Sequence, residues 1–189
     1  MPWQHDESCD GFSSTRVEQD SPRDSEEQAR ALCLSLLAGP PRTRAQLAEA
    51  MRRRGISDEA AQQVLSRFEE VGLINDAVFA DAWVESRHHG RGLAQRALAR
   101  ELRTRGVESE VIARAVEQLD AEREEETARA LVERKLRSTR GLDQEKRIRR
   151  LVGMLARKGY TEGIALRVVR QALEKEGEDT EFLESCFPD

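Results

Sequence analysis

The sequence predicts an all-α protein of three tandem three-helix repeats, forming an elongated, curved modular body. Helical periodicity runs through almost the whole middle of the chain, and no stretch sustains the alternation of a strand. Glycines punctuate that periodicity at Gly39, Gly55, Gly72, Gly90, Gly92, Gly106, Gly141 and Gly159. One apolar pattern recurs three times when the chain is aligned on Gly55, Gly106 and Gly159.

The offsets define the repeat. Leu47, Leu98 and Leu151 stand eight residues before these glycines, and Met51, Leu102 and Leu155 stand four before. Ile56, Val107 and Tyr160 follow at once; Val64, Ala115 and Val168 stand nine after, with Leu65, Val116 and Val169 next to them. Phe68, Leu119 and Ala172 lie thirteen after. The pattern reads as a helix, a left-handed glycine at its C-terminus, a short turn and a second helix, each helix burying one face. A further helix precedes each pair. Its apolar side is Ala29, Leu32, Cys33 and Leu36 in the first unit, Phe79, Trp83 and Val84 in the second, and Ala128, Leu131 and Val132 in the third. The third unit holds five extra residues before its glycine.

The expected organisation is an acidic, disordered N-terminal extension over 1–24, units over 25–77, 78–124 and 125–176, and an acidic tail over 177–189. Ser25 with Gln28 and Thr43 with Gln46 fit capping boxes, and Ser57 and Asn75 fit N-caps. Each unit alone has a small core, so neighbours must support one another.

Charge is segregated. Residues 1–28 carry eight acids and two bases, and residues 174–189 carry seven acids and one base, so 29–173 keep 28 bases against 21 acids. A basic body suits a polyanion or an acidic protein surface. Acidic ends either solubilise the chain or compete for that basic surface. In the second unit Arg96, Arg100 and Arg103 fall within about 60° of one another on a helical wheel, with Leu98 and Leu102 opposite. Arg87 and Arg91 lie just before them. In the third unit Lys146, Arg150 and Arg157 share a face, Arg149 lies beside them, and Ile148, Leu151 and Leu155 face away. The stripes read either as solvated helix faces or as functional basic surface. Arg54, Arg105 and Lys158, which precede the three glycines, read first as favourable contacts with a helix C-terminus, with basic surface as the alternative. The core repeats but the charges do not.

Several classes are disfavoured. Three cysteines without a Cys-x-x-Cys spacing and three histidines give no disulfide scaffold, and no metal or cofactor site is expected. His88 and His89 read as part of a glycine-rich loop, and Glu124–Glu126 as a solvated helix start. No nucleophile–base pair or paired carboxylates stand in a credible pocket, so an enzyme is not expected. No apolar run approaches the ~20 residues of a membrane span. The start of the chain lacks a signal-peptide pattern, and a cytoplasmic monomer is the expectation.

Thr43–Ser57 followed by a helix ending at Phe68–Ile74 looks like a winged-helix module of a DNA-binding transcription regulator. A wing is missing, since Asn75 opens another helix, and the unit recurs. The segments Gly72–Arg87 and Gly90–Val107 instead resemble the RecX family of recombination regulators. Arg87, Gly92, Glu101, Leu102, Arg105, Gly106 and Val107 match its middle repeat, and the likeness extends over about 26–176. The resemblance implies a non-enzymatic protein that binds RecA recombinase and its DNA filament. It would inhibit filament growth, ATP hydrolysis and strand exchange, modulating recombinational repair and the SOS response. Some members bind DNA directly, so single- or double-stranded DNA is a further candidate partner. The candidate contact surface is Arg87, Arg91, Arg96, Arg100, Arg103, Lys146, Arg149, Arg150, Arg157 and Lys158.

Overall fold

The computed structural model describes residues 22–177. The expectations for 1–21 and 178–189 lie outside these residues. Among the described residues there are nine α-helices, one short 3-10 turn and no strand. The first unit holds α1 (Pro22–Leu37), α2 (Arg44–Arg53) and α3 (Asp58–Glu70). The second holds α4 (Asp76–Arg91), α5 (Gln95–Thr104) and α6 (Ser109–Glu117). The third holds α7 (Ala121–Leu136), α8 (Gln144–Arg157) and α9 (Glu162–Lys175).

Within each unit the first and third helices pair most extensively, and the middle helix packs across both. The aligned leucines and their partners are the cores: Leu47, Met51, Leu98, Leu102, Leu151 and Leu155 are fully buried. Three separate apolar clusters result, one per unit. No pair of helices from different units packs extensively.

Local signals account for most boundaries. Thr43 closes a reciprocal capping box with Gln46, and Ser57 and Asn75 accept from the first free amides of α3 and α4. Ser25 departs from expectation. Helix α1 begins at Pro22, a residue type suited to a first helical position because it lacks an amide hydrogen there. Ser25 is therefore inside α1, its hydroxyl 3.3 Å from that of Ser57. His88 and His89 also differ from the expected loop, because α4 continues through them to Arg91 and stops at left-handed Gly92. Relative to the first unit, four of the five extra residues of the third lengthen α8, and the fifth lies in the link 137–143, which holds the 3-10 turn Arg137–Thr139.

The units join end to end through their middle helices. The Thr43 hydroxyl, at the start of α2, donates to the Arg105 carbonyl at the end of α5 at 2.6 Å. The Ala94 amide, at the start of α5, donates to the Lys158 carbonyl at the end of α8 at 2.9 Å. Each joint needs a bare glycine. A Cβ on Gly106 would lie 2.3 Å from the Ala45 Cβ, and one on Gly159 would lie 2.6 Å from the Ala97 nitrogen. Gly55 has the same positive φ with nothing within 4 Å. Gly55→Ala should therefore cost roughly 1–2 kcal/mol of left-handed strain. Gly106→Ala should cost more, because the joint must open as well. Urea unfolding of the two variants checks this, and equal losses would contradict the joint.

Candidate functional site: a basic groove at a repeat joint

The second joint creates a groove. Helix α5 lines one wall with Arg96, Ala99, Arg100 and Arg103; the end of α8 lines the other with Ala156, Gly159 and Tyr160, around a space of about 480 Å³. Leu98 and Leu102 anchor α5 in the core, so the opposite face must present the arginines. All three are exposed, and no described residue pairs with their side chains. Arg150 and Arg157 continue the positive surface along α8 and are likewise exposed. Lys146 and Arg149 lie at the far end of α8 and already pair with Asp143 and Glu145 on their own helix turn. Such exposed pairs contribute little and exchange readily for another anion.

The remaining candidates are structural as well as basic. Lys158 is half-buried, and its ammonium donates to the Arg91 carbonyl across the joint. Burial, then the charges of Arg134 and Arg91, pull its pKa below the usual lysine value. Arg87 does not project freely. Its guanidinium lies 4.1 Å from the Trp83 ring centroid, with that of Arg105 at 3.7 Å from the same ring. The Trp83 indole donates to Glu101 at 2.9 Å, and Arg87 approaches that carboxylate at 3.9 Å. Phe79 stacks on Trp83 at 5.7 Å. Arg87, Glu101 and Arg105, three of the residues that carried the family resemblance, thus converge on one ring.

Several groups at the joint carry no signal in the sequence. Glu124 is buried rather than solvated, and accepts from the Gln95 amide at 2.6 Å, capping α5 from the next unit. Asp76 caps the Arg44 amide of α2 in the same way at 2.9 Å. His88 is buried, with Nδ1 2.9 Å from the Leu93 carbonyl and Nε2 2.9 Å from the Thr127 hydroxyl. A carbonyl only accepts, so Nδ1 carries a proton. The Tyr160 hydroxyl donates to the Gly92 carbonyl at 3.1 Å, and burial followed by the Glu124 charge pushes its pKa up.

The first joint has its own hollow, of about 530 Å³, lined by Arg42, Arg53, Arg54 and Arg105 beside Leu32 and Leu36. Its charge is mixed. Glu49, at the repeat position of Arg100, holds Arg52 and Arg53. The groove at the second joint is the more purely basic.

Profiles of the RecX three-helix domains match the chain in order: the first over residues 29–68, the second over 75–116 and the third over 122–169. The chain belongs to the RecX family. It is 74% identical over 172 residues to regulatory protein RecX of Streptomyces coelicolor, covering 90% of this chain and 92% of that one. It is 54% identical over 177 residues to regulatory protein RecX of Thermobifida fusca, covering 94% and 96%. The fold is shared with a crystal structure of RecX from Lactobacillus salivarius, at a TM-score of 0.73 and 16% identity over 79% of this chain and 97% of that one. No described helix of this RecX-family chain is long and apolar enough to cross a membrane.

One electrostatic feature of the third unit is directly testable. Arg147, only 2% exposed, donates to Thr139 at 3.0 Å and to Glu176, and Arg140 reaches the same carboxylate at 2.6 Å. The bond from Arg140, then that from Arg147, holds the Glu176 carboxyl below its ordinary pKa of 4.5. A depressed carboxyl pKa stabilises the fold above the unfolded value and loses that contribution as the pH falls through the folded value. Melting temperature should thus fall more steeply below pH 4.5 in the natural chain than in Glu176→Gln. Parallel pH profiles would contradict the clamp.

Proposed function

We propose that the chain is a non-enzymatic regulator that binds the RecA recombinase on its DNA filament and restrains filament growth, ATP hydrolysis and strand exchange. Family membership supports a regulatory role. The observation that carries the reading to a surface is the groove of the second joint, where three arginines stand together without anionic partners. Guanidinium groups in that state are ready to receive carboxylates or phosphates in paired hydrogen bonds.

The row of units suits an extended partner. Helices α2, α5 and α8 have 10, 10 and 14 residues. End to end they measure roughly 50 Å at 1.5 Å per residue. A chain of that reach, acting as a monomer, can touch more than one subunit of a filament. Arg96, Arg100 and Arg103 make the central contacts, and Arg150 and Arg157 extend them, with Lys146 and Arg149 at the margin. Arg91 stands at the joint, where its carbonyl accepts from Lys158. Arg87 and Lys158 act mainly by holding the second unit and the joint in shape. Phosphates of the filament's DNA offer a second anion to the same surface. Inhibition follows only if the assembled, active filament is bound differently from the other states of RecA.

The test is the single-stranded-DNA-dependent ATPase of cognate RecA with the protein titrated below one per RecA. Inhibition is expected at such ratios. The variant carrying Arg96→Glu, Arg100→Glu and Arg103→Glu should need at least ~10-fold more protein, given ~1.5–3 kcal/mol per charged hydrogen bond lost. Its circular dichroism should be unchanged. Unaltered inhibition by a folded triple variant would move the contact elsewhere. An unaffected ATPase together with sequence-selective duplex binding would overturn the reading.

A further inference from the structure

The third unit carries a continuous basic track that the family reading leaves without an internal role. Lys146, Arg150, Gly153 and Arg157 are spaced four, three and four residues apart, which puts them in one row along α8. The Arg157 guanidinium folds back over Gly153, 3.4 Å from where a Cβ would stand. Arg157 is the chain neighbour of Ala156, which with Gly159 walls the groove that holds Arg96, Arg100 and Arg103. The row on α8 and the groove on α5 thus bring six cations to the two sides of the second joint.

The other end of this track lies where the described chain ends. Glu176 caps α9, and Arg140 and Arg147 clamp its carboxylate. Arg147 is the immediate neighbour of Lys146. The chain then continues into residues 178–189, which carry Glu178, Asp179, Glu181, Glu184 and Asp189 and no base. The clamp thus roots an acidic segment beside the start of the basic row. Reach is sufficient. The segment has 12 residues, which extended span about 40 Å. Helix α8, with 14 residues, is about 21 Å long. Its charge also matches, with five acids against six cations, of which Lys146 already pairs with Asp143.

We propose that the acidic segment 178–189 lies along the Lys146–Arg150–Arg157 row, reaches the groove of the second joint, and competes there with external anions. This deepens the proposed function by giving the same surface an internal competitor, and it rests on that reading for the identity of the partner. The contact is electrostatic and exposed, so it weakens with salt, and a partner of higher charge density displaces it.

The experiment uses the full chain and a zero-length carbodiimide crosslink between carboxylates and amines. Arg157→Lys supplies an amine at the far end of the row without changing its charge. At about 20 mM salt, where screening extends over more than ~20 Å, Glu184 or Asp189 should link to position 157. That link should disappear at about 1 M salt, where the screening length is ~3 Å. Links confined to Lys146 and Lys175, near the root of the segment, would overturn the proposal. The functional arm measures binding of a fluorescent oligothymidylate. A chain with Glu178→Gln, Asp179→Asn, Glu181→Gln and Glu184→Gln should bind it about ten-fold more tightly at low salt, a gain that vanishes at high salt. Equal affinities of the two chains that bind would overturn the competition. If neither chain binds the oligonucleotide, nucleic acid fails as a partner of this surface, and the crosslink alone decides whether the segment occupies it. Neither arm contains RecA, so loss of RecA inhibition and loss of this contact are separately observed.

Discussion

The hydrogen bond from one middle helix to the next governs the architecture. A helix ends with carbonyls that have no partner within the helix, and another begins with unpaired donors. Here the carbonyl ending α5 meets the Thr43 hydroxyl at the start of α2, and the carbonyl ending α8 meets the Ala94 amide at the start of α5. The partial charges at these ends are opposite, so bringing them together satisfies both groups. Approach this close requires that no side chain intervene, hence Gly106 and Gly159. Acids from the following unit, Asp76 and Glu124, then cap the adjacent amides.

The two joints use the same plan with different strength. At the first, Thr43 and Asp76 supply the bridging hydrogen bonds. At the second, Ala94, Gln95, His88, Lys158 and Tyr160 all bridge, and Ala94 is buried within the third unit's apolar cluster. The basic groove therefore sits at the firmer joint. Arginines on α5 keep a fixed relation to the end of α8, which is what recognition of a shaped anionic surface requires.

Helices and cores were legible because burial leaves a periodic trace. Leu47, Leu98 and Leu151 recur at one offset since each fills the same place in its unit. The stripe Arg96–Arg103 was legible for the converse reason, because the face opposite Leu98 and Leu102 must be solvated. The joints left no such trace. Their partners lie far apart in the chain and many are backbone groups, as where the Thr43 hydroxyl meets the Arg105 carbonyl. Glu124 sits in an acidic run that gives no hint that one member turns inward. The same blindness placed His88 in a loop, since nearby glycines suggested a turn while Thr127 and Leu93 were holding the ring within a helix. Arg87 looked like surface charge, and only the geometry around Trp83 shows how it is held.

The separation of the three cores has a consequence for how the chain acquires its form. Every extensive helix pairing lies inside one unit, so contacting residues are close in sequence. Chains dominated by such local contacts reach their native state quickly, because little loop entropy is lost before contacts form. Synthesis delivers the units in order, and the first can bury Leu47, Met51 and Leu65 while the third is still unmade. What must wait is the joint. Thr43 stays without its carbonyl until Arg105 has emerged, so the relative set of the units is the last feature of the molecule to be written.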